Sequence, residues 1–220
     1  TVVRTTANGG NGASFGAGSL AGEAGATAFR NVFSSARVEY GGDAPQYIRL
    51  GGLVGSAGNC TFENAAFTGS TGLQSDGTAY PAYGDTTNFY SGGLAGWAGD
   101  TVFRNSYVAG FVSGDSNASG AAGAFAGGSG GTLTLTGCVY DESTGAADMP
   151  VVGNNAALTA DIVSGTLANK AIDGFTAVVG LYPVPAGFAA GERLTDRVKA
   201  SFIPVVFTTA AYSLNKAELS

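Results

Sequence analysis

Along most of the chain, apolar or small residues alternate with polar ones, as in TFENAAFTG at 61–69 and VFRNSYVAG at 102–110. A period of two, many β-forming residues and bounding glycines predict short strands. No run places Leu, Glu, Lys or Ala at the 3.6-residue spacing of an amphipathic helix, with one exception. After Leu158, TADIVSGTLANKAI predicts a short helix with Thr159 as N-cap and Gly174 as its stop. VKASFIPVVFTTAAYSL, within 191–220, reads as an extended strand pair in which Pro204 is an edge-compatible break.

The strand pattern repeats. GSLAG from Gly18, GGLVG from Gly51 and GGLAG from Gly92 each place a Phe eleven residues on and an Asn thirteen residues on: Phe29 and Asn31, Phe62 and Asn64, Phe103 and Asn105. A fourth opening, GAFAG from Gly123, slips by one, with Leu135 at +12 and Gly137 in place of the Asn. The intervals are 33, 41 and 31 residues, so the motif is constant while the length between motifs varies. That combination puts insertions in loops, notably 73–91 and 113–121, and is the signature of stacked coils. The fold expected is all-β: a parallel β-helix, or β-solenoid, of about four coils with a short helical cap and C-terminal strands. Right-handedness is expected from the crossover rule and from the absence of a hexapeptide rhythm. Leu20, Leu53, Leu94 and Phe125 should point inward as one column, and Phe29, Phe62 and Phe103 as a second, at the strand spacing of about 4.8 Å. The Asn residues suit bends whose side-chain amides bond from coil to coil.

Composition adds a boundary. Of 37 glycines, 36 precede residue 191; residues 1–190 hold six Lys plus Arg against thirteen Asp plus Glu, and 191–220 hold four against three. The expected division is therefore a solenoid over 1–190, its end cap at 158–190, and a connector or the start of another module at 191–220. A net charge of −6 without a basic run excludes phosphate-backbone binding and disfavours anionic membrane surfaces. The uncharged stretch 116–140 is Gly-, Ser- and Thr-rich and lacks the apolar block of a membrane span. Cys60 and Cys138 occupy different repeat positions, which argues against a disulfide, and without His they make no metal site. Because the chain opens on Thr1 with no signal peptide, it reads as a piece of something larger.

Candidate chemistry is sparse. The glycines at 127–131 lack the Lys and the strand–loop–helix setting of a phosphate loop. Asp76, Asp85, Asp100, Asp115 and the pair Asp141-Glu142 are the carboxylates a β-helix enzyme would draw on. Of these Asp100 sits at a turn position occupied by Ala26 and Asn59 in sister repeats, and so reads as a turn residue. The binding-like stretch is LQSDGTAYPAYGDTTNFY at 73–90, with Trp97 shortly after it. Aromatic faces beside carboxylates suit sugar rings, and Tyr80, Tyr83, Asp85, Tyr90 and Trp97 form the candidate ligand site.

GGLVG, GGLAG, the following N-A-A and N-S-Y, the closing Cys138, Tyr140, Asp141, Thr144 and Gly145, then Leu158-Thr159 and Tyr182-Pro183, resemble the GLUG-motif repeats of large bacterial surface proteins. These include the IgA-peptidase family, in which such repeats flank a protease domain, and filamentous adhesin-like chains. Ala65 and Val32 stand where that pattern commonly has Cys. The resemblance covers roughly 16–190 and implies a secreted or wall-displayed bacterial protein, carrying no catalytic residue across. The function expected is a non-enzymatic spacer or adhesive module, with host glycans or extracellular-matrix protein as partners besides neighbouring modules of its parent chain. No cofactor is expected; nothing indicates calcium. Two alternatives stand beside it: a polysaccharide lyase or hydrolase using loop carboxylates, and an accessory repeat of an IgA-cleaving metalloprotease.

Overall fold

A computed structural model describes residues 2–5, 14–40, 46–72, 88–113, 122–141, 156–157, 172–178 and 181–187. Every regular element among them is a strand. Strand β1 (Val2–Thr5) precedes a first coil of β2 (Ser14–Ala17), β3 (Ala21–Gly25), β4 (Ala28–Ser34) and β5 (Arg37–Tyr40). The second coil is β6 (Tyr47–Gly51), β7 (Val54–Gly58), β8 (Thr61–Phe67) and β9 (Ser70–Thr71). The third is β10 (Asn88–Gly92), β11 (Ala95–Gly99), β12 (Thr101–Arg104), β13 (Tyr107–Val108) and β14 (Phe111–Val112). The fourth is β15 (Ala122–Gly123), β16 (Ala126–Ser129), β17 (Leu133–Thr136) and β18 (Val139–Asp141); β19 (Ala156–Ala157) pairs with β18. Equivalent strands of successive coils pair in parallel, giving the ladders β1-β5-β9-β14, β15-β10-β6-β2 and β16-β11-β7-β3 and a larger sheet around β8. This is the expected parallel β-solenoid.

Register explains how one motif tolerates unequal spacing. Between the first and second coils every pairing is offset by 33 residues, from Ser14↔Tyr47 to Val38↔Thr71. Between the second and third, every pairing from Tyr47↔Asn88 to Thr71↔Val112 is offset by 41. The additional length therefore enters between Thr71 and Asn88, outside the ladders. Within the ladders the offset stays fixed, because each side chain must meet its counterpart one coil away.

Corners are set by backbone conformation. Ala26, Asn59 and Asp100 have φ of 48°, 52° and 46°, and Asn31, Asn64 and Asn105 have φ of 52°, 54° and 45°. Five of these six are Asn or Asp, the residue types that enter the left-handed region at least cost after glycine, and Ala26 shares a column with two of them. In the fourth coil Gly131 and Gly137 take over the two corners with φ of 114° and 63°. Asp100 is thus the turn residue its alignment with Ala26 and Asn59 indicates. The Asn ladder also forms, amide to amide: Asn64 Nδ2 donates to Asn31 Oδ1 at 2.9 Å.

At five of these corners the following residue carries a short donor that bonds the carbonyl two residues back. Thr27 donates to Gly25 O at 2.9 Å, Thr101 to Gly99 O at 3.0 Å and Ser106 to Arg104 O at 2.8 Å. Cys60 and Cys138 occupy the same posts, donating to Gly58 O at 3.4 Å and Thr136 O at 3.5 Å. Both thiols are free and buried, each a corner clip at its own bend.

Inside, Leu53, Leu94 and Phe125 are fully buried, and the rings of Phe29, Phe62 and Phe103 stack at 4.9 and 5.1 Å with interplanar angles of 15° and 17°. Leu20 departs from the expected inward column. It holds the same register but is 50% exposed, because it lies on the first coil, where β3 ends its ladder among the described residues. A second apolar group, Val38, Tyr40, Ile48, Leu50 and Phe89, fills the interior beside β5, β6 and β10.

The region expected to cap the coil end does something different where it is described. Residues 158–171, on which the cap helix was expected, lie outside the described residues, as do the expected C-terminal strands at 191–220; no helix occurs among the described ones. Strands β20 (Phe175–Val178) and β21 (Leu181–Pro185) form an antiparallel hairpin. It packs on the flank of the stack, because Ile172, Phe175 and Tyr182 join Phe33, Ala66, Tyr107 and Val139, one register column running through all four coils. Tyr107 donates to Pro183 O at 2.5 Å and Tyr182 donates to Asp141 Oδ2 at 3.1 Å, so both buried hydroxyls are satisfied.

Burial raises two acids here. It pushes the Cys138 thiol up to about 11 from 9.0, and it raises the Tyr107 phenol well above 10.0, with Tyr182 adding to the rise. Unfolding frees both groups to ionise, so the folded chain holds more protons and stability falls as pH rises. Urea midpoints should be constant below about pH 9, the thiol's unfolded value, and decline toward pH 11. Cys138→Ser should soften that decline; an unchanged midpoint from pH 8 to 11 in the parent chain would contradict the assignment.

Candidate functional site

Strand alternation decides what faces outward. On β6, Ile48 and Leu50 are buried in the core, which turns Tyr47 and Arg49 to the outer face; on β10, buried Phe89 turns Asn88 and Tyr90 outward in the same way. The ladders place Tyr90 on Arg49 and Trp97 on Ser56. The bend between β6 and β7 is tight enough that a Cβ on Gly51 would lie 1.8 Å from Val54 O. Such a bend brings Arg49 to Ser56, Nη1 donating to Oγ at 3.4 Å.

The resulting cluster is aromatic with one cation at its centre. The Arg49 guanidinium carbon lies 5.4 Å from the Tyr47 ring centroid and 5.5 Å from that of Trp97, and Tyr90 meets Trp97 edge to face at 4.8 Å and 70°. Each cation–ring contact contributes about 0.5–2 kcal/mol. Two ion pairs form among the described residues, Arg30–Glu63 and Arg37–Glu39, and Arg49 is in neither. Its Nε is buried without a hydrogen-bond partner, which costs about 1–3 kcal/mol. Glu23, exposed on β3, shares the register column of Ser56 and Trp97 one coil further down. The fourth coil contributes glycines to this surface: a Cβ at Gly128 would lie 2.5 Å from Tyr90 Cδ1 and 2.7 Å from Trp97 Cε3, and one at Gly130 would lie 2.9 Å from Trp97 Cζ2. All five residues, Tyr47, Arg49, Ser56, Tyr90 and Trp97, are half-buried, leaving part of each open to a ligand.

Of the residues singled out in the sequence, Tyr90 and Trp97 are brought into contact. Tyr80, Tyr83 and Asp85 lie outside the described residues, as do Asp76, Asp115 and Glu142. Asp141 is buried against Tyr182 and takes no part in the outer surface. Among the described residues no three of His, Cys, Asp and Glu gather as a metal site. Tyr47 and Arg49 are the members that sequence reasoning missed. The offset of 41 was available from the GGLVG and GGLAG openings and stacks Arg49 on Tyr90, so the signal lay in the repeat and not in the local run.

Residues 46–71, which comprise the second coil, match the family model of the GLUG motif. No curated protein and no solved structure matches the chain significantly. The second coil therefore carries a GLUG motif, and the described residues fold as a parallel β-solenoid.

Proposed function

We propose that this chain is a non-enzymatic module of a secreted or cell-surface bacterial protein, a stiff stack of coils that holds neighbouring modules apart and binds glycans through its outer face. The observation that carries the reading is the cluster of Tyr47, Arg49, Tyr90 and Trp97 on the outside of consecutive coils. Core packing does not require it, because Ile48, Leu50, Phe89 and Ala98 already fill the inside of the same strands. Aromatic rings that keep an open edge offer apolar faces to sugar C–H groups, and the polar groups among them meet hydroxyls. Stacked parallel ladders support the spacer role, since every coil is tied to its neighbours by backbone hydrogen bonds along its sheets.

The test is a glycan array probed with the purified chain. Trp97→Ala and Tyr90→Ala should each weaken any saturable binding by about tenfold, equivalent to about 1.4 kcal/mol. Gly128→Val should do the same without altering any side chain of the cluster, because its Cβ would displace both rings. Binding that survives all three variants would place the ligand elsewhere.

A further inference from the structure

We infer that the ligand of this outer face is an acidic sugar, whose carboxylate is held by Arg49 while its ring lies against Trp97 and Tyr47. The inference rests on the glycan-binding reading and deepens it.

The argument starts from charge. The chain carries −6 overall, and Arg30 and Arg37 are each paired with a glutamate. Arg49 is instead set between two aromatic rings, with Ser56 Oγ at a long 3.4 Å as its hydrogen-bond acceptor. Its Nε has no acceptor at all. A guanidinium is planar and carries five donors in a fork that matches a carboxylate in two-point contact. Held between rings, it has lost side-chain freedom before any ligand arrives, so less is lost on binding. A carboxylate reaching the cluster meets both a preset cation and an unmet donor, which a small turn of the guanidinium brings to its oxygens.

The surroundings sharpen the choice. Glu23 is the acidic group in the neighbouring register column, and it makes no ion pair among the described residues. Repulsion from it disfavours diffuse, many-charged polyanions more than a single carboxylate docked against Arg49. A carboxylate on an apolar-faced ring uses the rings and the cation together, which a peptide side chain cannot do with one group. Uronic and sialic acids share this chemistry.

The experiment compares each acid with its neutral counterpart by calorimetry: trigalacturonate against the carboxyl-reduced trisaccharide, and sialyllactose against lactose. Titration of the parent chain should show at least one acid binding tenfold or more tightly than its counterpart, and Arg49→Gln should abolish that preference while Arg49→Lys restores part of it. Far-UV circular dichroism establishes that the variants fold. Equal affinity for acid and neutral forms, lost in Trp97→Ala, overturns the inference and leaves the glycan reading standing. A preference for the acid that persists in Arg49→Gln also overturns it. Binding of an acidic peptide with no binding of any sugar overturns both.

Discussion

Gly92→Ala is expected to prevent the chain from completing its third coil, whereas Gly58→Ala is expected to leave it folded. A Cβ at Gly92 would lie 1.9 Å from Ala95 O, 2.7 Å from Gly127 N and 2.9 Å from Ala126 Cα. All three are backbone atoms, and two belong to the next coil, so no rotamer change can relieve the overlap. Relief would require separating the corner from the ladder above it, at a cost beyond the ordinary overpacking range of about 1–3 kcal/mol. Gly58, three residues beyond its own GGLVG corner, has no atom within 4 Å of the position a Cβ would take. There the substitution mainly removes freedom from the unfolded chain and should stabilise by about 0.4–1 kcal/mol. Urea unfolding followed by far-UV circular dichroism checks both. Equal midpoints for the two variants would mean that the close approach of coils at the G-x-L-x-G bend is not what the glycines serve.

The second large effect is expected at Phe62. Its ring is fully buried and stacks on Phe29 below and Phe103 above, so Phe62→Ala removes contacts on both faces and leaves a cavity between rigid coils. The loss should be about 3–5 kcal/mol. Phe29→Ala is the informative comparison. Phe29 has a ring neighbour in Phe62 on one side and is only partly buried, so its loss should be smaller, about half as large by the same reasoning. Unfolding midpoints in urea measure the difference; a Phe29→Ala variant as damaged as Phe62→Ala would show that ring stacking is not the term that dominates.

The parts of this fold that repeat were the parts that could be read from the chain. Phe29, Phe62 and Phe103, and Asn31, Asn64 and Asn105, announce their columns because a stacked coil forces equivalent residues into contact one strand spacing apart. The flanking hairpin was not foreseen, since β20 and β21 occur once and have no partner in the repeat. A signal for it existed at Phe33, Tyr107 and Val139, apolar residues on a face that alternation turns outward, which require a cover. The ligand surface was half legible. Tyr90 and Trp97 stand out as aromatics close together in the chain, whereas Arg49 and Tyr47 reach them only through the 41-residue register.

The fourth repeat shows what the left-handed corners do for the chain's history. Pairings up to Ala98↔Ser129 are offset by 31 residues, and those from Thr101↔Leu133 onward by 32. One extra residue, Thr132, has entered at the corner, where its N–H bonds Asp100 Oδ1 at 2.9 Å and its carbonyl accepts from Thr101 N at 3.0 Å. Within a strand the same insertion would invert every later side chain, turning core outward and surface inward. At the bend it is absorbed locally, and Leu135 still lands on Phe103. Such bends act as expansion joints: a genome can gain or lose a codon there without scrambling the layers that follow, which lets arrays of this kind drift in length while their interiors stay aligned.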